Sequence, residues 1–470
     1  MDPLRMAKTL FLISVTLLSL VYIVSPEGSK DKIGEGCFCK LQGEIDDCSC
    51  SIESVDSFNN LKVYPRLNSL LSRDYFRYWR ANLQKECPFW VDDSRCALKD
   101  CHVNGCTEEE LPNGLRQNGS KSKNKYTAEA QEEASCDDEK LGDLDRTISK
   151  ESREAFRDWL EHDDAQENFC ELDDESSNGM SYVDLTLNPE RYTGYKGKSP
   201  HRIWSSIYEE NCFTAEKREY TYLVQRRGSD ISGSSADEGL CLEKRAFYRL
   251  ISGLHASINI HLSAMYLFQD RTGILPDRWG TNVAEFQRRF GPEKTNGRGP
   301  QWLKNLYFAY LLELRALAKA APYLEKEFYY TGDDKEDEEV KDAVKDLLKV
   351  VKSFPNHFDE SRLFREDAAD LKKEFKEKFK NISRIMDCVG CDKCKLWGKL
   401  QVTGLGTALK ILFSGESMSP DSIVTQDLKQ KSEDQKFQLR RQEIVALFNA
   451  FGRLSRSIHE VEMFRSLIKG

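Results

Sequence analysis

The sequence predicts an all-α fold, a helical bundle with long disulfide-stapled loops, on three observations. Several segments repeat apolar residues every three or four positions. No comparable run alternates with period two. Fifteen cysteines stand outside those helical stripes. Helices therefore supply the core, and the cysteines mark the segments that connect and staple it.

The chain opens with Arg5 and Lys8, an apolar stretch over residues 10–24, then Ser25-Pro26-Glu27-Gly28-Ser29. This is the pattern of a secretory signal peptide over residues 1–25. The apolar part falls short of the roughly 20 residues that a spanning helix needs. No later segment is long and apolar enough to span, so the mature protein is expected to be lumenal or secreted. The C-terminus, Leu467-Ile468-Lys469-Gly470, carries no retrieval tetrapeptide. Two sequons fit that route, at Asn118 and Asn381.

The net charge of −9 argues against nucleic acid as a partner. Its acidic excess clusters at residues 132–145, 163–174 and 333–339, which read as solvated loops.

In a secretory chain, this many cysteines imply disulfides, and the odd count leaves at least one thiol over. Cys37-Phe38-Cys39 and Cys48-Ser49-Cys50 suit a two-rung ladder, Cys37–Cys50 with Cys39–Cys48, although sequence leaves the connectivity open. Residues 86–140 are poor in apolar side chains and read as a long mobile loop. That loop holds Cys96, Cys101, Cys106 and Cys136. Cys101 lies midway between Cys96 and Cys106 and is free to pair either way, which suits a shuttle or switch as well as static staples.

The helical stripes follow. Phe247, Leu250, Leu254, Ile258, Leu262 and Met265 mark one helix. A second spans residues 302–324, with Pro322 near its end. Leu371, Phe375, Phe379, Ile382 and Met386 mark a third. Residues 396–413 and 444–467 supply two more. Residues 217–239 and 414–437 read as linkers.

Between the third and fourth stripes stands Cys388-Val389-Gly390-Cys391-Asp392-Lys393-Cys394. Cys391-x-x-Cys394 opens a helical pattern, where the helix dipole and Lys393 and Lys395 favour a thiolate. The reading is a redox-active disulfide, set against a static staple or a metal site. For a metal, a fourth ligand at matching spacing is missing.

Residues 188–197 form a polar, aromatic loop. Arg191, Thr193 and Trp204 offer a cation, a hydroxyl and a stacking plane to a phosphorylated aromatic cofactor. His255 lies on a helix with Ser252 one turn earlier on the same face; such a histidine is either a ligand or a satisfied core residue. No G-x-G-x-x-G opens a helix, so a Rossmann flavin site is not expected.

Taken together, residues 37–467 resemble the endoplasmic reticulum oxidoreductin family of flavin-dependent sulfhydryl oxidases. The resemblance is carried by Asp74-Tyr75-Phe76-Arg77-Tyr78, Cys87-Pro88-Phe89-Trp90, residues 188–197, Tyr208-Glu209-Glu210-Asn211-Cys212, residues 250–259, Leu303-Lys304-Asn305-Leu306-Tyr307-Phe308 and residues 381–413. It implies one oxidoreductin domain over residues 37–470. Residues 86–140 would be its shuttle and regulatory loop, and residues 239–413 the core that encloses FAD.

The resemblance further implies that Cys394 faces the flavin, that Cys391 exchanges with the loop, and that Cys96 and Cys101 form the shuttle pair. It gives Arg191, Thr193, Trp204, Ser252, His255 and Arg289 as FAD contacts. Cys96–Cys136 and Cys101–Cys106 would be inhibitory locks, Cys87–Cys388 and Cys212–Cys241 staples, and Cys170 the odd thiol. It implies no metal. The expected partners are protein disulfide isomerase, related thioredoxin-like proteins and molecular oxygen, which would leave as hydrogen peroxide. The expected location is the endoplasmic reticulum lumen, a setting compatible with peripheral association at the lumenal membrane face. One departure stands out: the family carries an arginine just before the Leu303 stretch, where this chain has Trp302, with Arg298 nearby as a substitute.

Overall fold

The computed structural model describes residues 44–45, 50–91, 95–96, 101–116, 168–174, 177–211, 213, 242–269, 276–355, 358–365, 368–414 and 437–469. The expected signal peptide, Cys37, Cys39, Cys48, Cys136, Cys212, Cys241, Asn118 and the side chain of Cys96 lie outside the described residues.

The described chain is mostly helical, with a few short strand pairs. Helices Ile52–Phe58 and Tyr64–Leu70 come first. Strand β1 (Tyr78–Asn82) follows, then β2 (Arg95–Cys96), β3 (Met180–Asp184) and β4 (Tyr195–Lys196). Helices α1 (Lys198–Glu209) and α2 (Leu242–Ala264) lead to a small pair, β5 (Tyr266–Phe268) and β6 (Arg278–Gly280). The remaining helices are α3 (Val283–Phe290), α4 (Gly299–Leu324), α5 (Asp334–Lys352), α6 (Ala369–Ile385), α7 (Asp392–Phe413) and α8 (Arg441–Lys469). No described helix is long and apolar enough to cross a membrane.

The bundle is built on two close helix pairs, α7 along α8 and α2 along α4. Both depend on a glycine. A Cβ on Gly404 would overlap the Ala446 carbonyl and the Ala450 methyl, and one on Gly253 would overlap the Asn305 carbonyl. Phe247, Phe375 and Phe379 are fully buried, with Phe247 edge-on to Phe375 at 4.9 Å. Each such ring contributes roughly 1.5–3 kcal/mol by leaving water.

Several expectations are corrected. Residues 333–339 are not a loop: Asp333 Oδ1 accepts the Lys335 and Glu336 amides at 3.0 and 3.3 Å and starts α5. Acidic residues in its first turn and Lys349 and Lys352 in its last complement the dipole. Asp173, in the second acidic cluster, is no solvated loop residue either; it accepts a bond from Lys399 Nζ at 3.0 Å. Helix α4 ends at Leu324, as expected, with Pro322 inside its last turn.

The pairing of β1 with β3 is antiparallel, Tyr78 opposite Asp184. It joins segments about a hundred residues apart whose burial does not alternate. Within the expected mobile loop, residues 101–116 are packed against the body. Val103, Leu111 and Leu115 are buried, and Thr107 and Glu110 form a capping box.

Candidate active site

Helix α7 starts at a cysteine. Cys391 is extended and serves as the N-cap, its Sγ facing the Cys394 amide at 3.4 Å. One turn brings the two thiols together, and they form a disulfide with Cα atoms 5.1 Å apart. Both are almost fully buried, at 1% and 3% exposure. Reduction leaves Cys391 at the positive end of the helix, the position that favours a thiolate. Cys388, the third of the spaced cysteines, is bonded instead to Cys87, with Cα atoms 4.4 Å apart. That staple fixes the approach to α7 and by chain entropy is worth about 5 kcal/mol.

The loop over residues 188–195 lies along one face of α7. The face carries Cys394, Trp397 and Gln401, spaced by three and four residues. Cys394 Sγ lies 3.2 Å from the Arg191 carbonyl oxygen, and Trp397 Nε1 donates to the Asn188 carbonyl at 2.8 Å. Gln401 Nε2 donates to Glu190 Oε1 at 3.1 Å and to the Tyr192 hydroxyl at 3.2 Å. Burial opposes charge on Glu190, but the Arg453 guanidinium, with Nε at 2.7 Å, holds the carboxyl down at about 2. It is a buried carboxylate at ordinary pH. Burial pushes His261 down, so its ring stays neutral.

The loop that carries the outer cysteines docks on this assembly. β2 pairs with β4, Cys96 opposite Tyr195, and the Gly390 amide donates to the Tyr195 hydroxyl at 3.3 Å. Cys101 is disulfide-bonded, whereas Cys106 and Cys170 carry free thiols. Cys101 is therefore not bonded to Cys106, and that lock is not formed in this structure. Cys50 is also a buried free thiol, so the Cys37–Cys50 rung is not formed here. Burial raises the Cys50 thiol to about 11 and favours its protonated state. Asn381, on α6, donates to Glu210 at 3.2 Å and accepts from Arg384 at 3.1 Å, so its amide is engaged in the folded state.

The expected cofactor residues fall into two groups. Arg191 and Thr193 stand on the loop beside Cys394, with the Arg191 guanidinium 4.4 Å above the Trp279 ring. Thr193 Oγ1 is buried without a hydrogen-bond partner. Trp204, Ser252, His255 and Arg289 gather around α2. The indole of Trp204 stacks on His255 at 3.7 Å, and Asn305 donates to Ser252 at 2.9 Å. Burial and the Arg289 charge push His255 down to about 4, so it is neutral at ordinary pH. Arg289 is oriented by Glu285 and Asn259.

Two guanidinium groups, stacked aromatic rings and an orphaned buried hydroxyl fit a dinucleotide with a pyrophosphate. Trp302 is partly buried, with Arg298 at 5.9 Å from its ring. A cavity of about 340 Å³ opens beside Arg191, but Trp204 and His255 do not line it.

Residues 62–461 match the family described as Endoplasmic Reticulum Oxidoreductin 1. The chain belongs to that family. It is 53% identical to the Ero1-like protein of Drosophila melanogaster, over 93% of this chain and 92% of that one. It is 48% identical to the ERO1-like protein alpha of Rattus norvegicus, over 97% and 98%. Among solved structures it is similar to a double cysteine-to-alanine mutant of S. cerevisiae Ero1p. That match has 30% identity and a TM-score of 0.56, and covers 88% of this chain and 97% of that one.

Family membership makes this oxidoreductin an oxidoreductase of oxidative protein folding in the endoplasmic reticulum. The sequence did not single out Glu190, Tyr208, Asn305 or Tyr195 individually. Tyr208 lies 3.0 Å from His255 Nδ1. All four stand in the very stretches that carried the family resemblance, which was the available signal.

Proposed function

We propose that the chain is a flavin-linked thiol oxidase of the endoplasmic reticulum lumen that reoxidises protein disulfide isomerase. The reading rests on one observation above all: the Cys391–Cys394 disulfide is buried, yet the cysteine loop is docked beside it. A folded partner cannot reach a disulfide so enclosed, so a second thiol pair on the same chain has to carry the electrons.

In this reading the partner attacks Cys96, and Cys101 passes the electrons to Cys391. Thiolate on Cys391 is favoured by the helix N-terminus, while Cys394 faces inward beside Arg191. Arg191, Thr193, Trp204, Ser252, His255 and Arg289 hold FAD. Bound FAD supplies the two-electron path to oxygen, which leaves as hydrogen peroxide. The neutral His255 and the Trp204 ring provide stacking surfaces, and the two arginines neutralise phosphate charge. An isomerase near about −180 mV cannot be oxidised by an ordinary staple below about −300 mV, so the loop pair has to be the stronger oxidant. Cys96–Cys136 and Cys101–Cys106 would withdraw it when reduced substrate is scarce.

The test is the visible absorption spectrum of protein purified from a secretory host. Bands of oxidised flavin, released as FAD on denaturation, are expected, together with oxygen uptake on reduced isomerase that is lost in Cys394→Ala. A colourless folded protein would instead favour a non-catalytic lumenal protein that captures thiol clients.

A further inference from the structure

Cys391 is flanked by two residues: one meets the strand on which the cysteine loop docks, and the other meets the cysteine loop itself. On one side, Gly390 binds the hydroxyl of Tyr195, the residue paired with Cys96 across β2 and β4. On the other, Asp392 Oδ2 lies 2.8 Å from Nδ1 of His102, the residue after Cys101. An ionised carboxylate only accepts, so His102 Nδ1 carries the proton in this contact.

The cysteine loop has other holds on the protein. Val103 is buried in the main core, and the Cys106 amide donates to the Tyr182 carbonyl at 2.7 Å. The His102 side chain, by contrast, is 72% exposed and Asp392 37% exposed. His102 reaches across solvent to the one residue of the inner motif that follows Cys391. A contact between two exposed side chains contributes little to folding. Its position is what stands out, since it joins the neighbour of one redox cysteine to the neighbour of another.

We propose that His102 and Asp392 form a latch that docks Cys101 on the Cys391 end of the inner disulfide during electron transfer. The proposal rests on the thiol-oxidase reading. The step it serves is disulfide exchange. The Cys101 thiolate attacks Cys391 Sγ, forming a Cys101–Cys391 bond and breaking Cys391–Cys394, so Cys394 leaves as a thiolate. The Cys96 thiolate then attacks Cys101 Sγ, forming Cys96–Cys101 and releasing Cys391 as a thiolate. The loop dithiol is oxidised, the inner disulfide is reduced, and the two protons of the loop thiols go to solvent or to the new thiolates. His102 and Asp392 touch neither reacting sulfur; they are positioning residues.

The experiment follows anaerobic bleaching of the flavin in the full-length holoenzyme by two routes. Reduced protein disulfide isomerase drives the first, through the loop. Dithiothreitol drives the second, in a Cys96→Ser, Cys101→Ser background where it must reach the inner pair directly. His102→Ala is expected to slow the first route roughly threefold to fivefold, the scale of an exposed pair, and to leave the second unchanged. His102→Asn, whose amide can donate from the same place, restores the first route. Adding Asp392→Ala to His102→Ala slows the first route no further, once its rate is divided by that of the second.

An unchanged first route in His102→Ala overturns the latch. So does equal slowing of both routes, which would place the effect on the inner pair itself. A colourless wild type overturns the oxidase reading and the latch with it, whereas isomerase-driven bleaching that survives loss of Cys96 and Cys101 overturns the shuttle route and the latch alone.

Discussion

Cys394 Sγ lies 3.2 Å from the main-chain carbonyl oxygen of Arg191. The inner disulfide is thus in contact with the same loop whose side chains are proposed to hold the cofactor. That loop is held from below by Glu190, the residue before Arg191, which bonds to Gln401 two turns further along α7. One buried carboxylate therefore ties the loop, the α7 face and, through Arg453, α8 together.

Replacing Glu190 with Gln should destabilise the protein by about 3 kcal/mol, because the buried Arg453 charge loses its partner at 2.7 Å and keeps only Glu460 at 3.9 Å. The effect depends on pH with a definite sign. The folded carboxyl sits near 2, below its ordinary value of 4.5. Its contribution is complete above the ordinary value and is lost as pH falls toward the folded one. Chemical denaturation of wild type and Glu190→Gln at neutral pH and at stepwise lower pH should show the gap closing as acid is added. A constant gap would mean that the carboxylate charge is not what stabilises the junction.

Cys106 carries a free thiol and Cys101 is bonded elsewhere, so the proposed Cys101–Cys106 lock is open in this structure. Cys136→Ala and Cys106→Ala should each remove a route to the locked form. The measurement is the lag before steady oxygen uptake on reduced isomerase: it should shorten in each single variant and vanish in the double. An unchanged lag in the double variant would remove the regulatory disulfides from the account.

Helix contact gives a stability prediction free of redox chemistry. Gly404→Ala should cost about 1–3 kcal/mol and lower the melting temperature, since α7 and α8 must separate to admit the methyl group. At Gly398, on the same helix, the added Cβ meets only the Met386 sulfur. That sulfur lies near the end of a flexible side chain, so Gly398→Ala should be close to neutral, helped by about 0.5–1 kcal/mol of helix preference. Thermal melts of the two variants side by side decide it.

Local chemistry was legible along the chain where it repeats or clusters. The stripes Leu371, Phe375, Phe379 and Ile382 are buried on α6, as the 3.6-residue period requires. Cys391-x-x-Cys394 at a helix start is likewise a property of one turn of backbone. Three readings went wrong for the same reason, being judged from composition alone. The acidic run after Asp333 is a capped helix start, Asp173 answers Lys399, and residues 101–116 are packed rather than loose.

The sequence by itself determined the five helices with clear apolar stripes, the inner cysteine pair and the family stretches, because each depends on residues within a few turns of one another. Only the tertiary structure decided what lies beside that pair. The pairing of Cys96 with Tyr195, the Arg191 carbonyl at Cys394, the Glu190–Arg453 junction and the His102–Asp392 contact all join residues far apart in the chain. Such contacts leave no periodic trace, since each is set by how whole helices and loops pack and which buried charges must then find a partner.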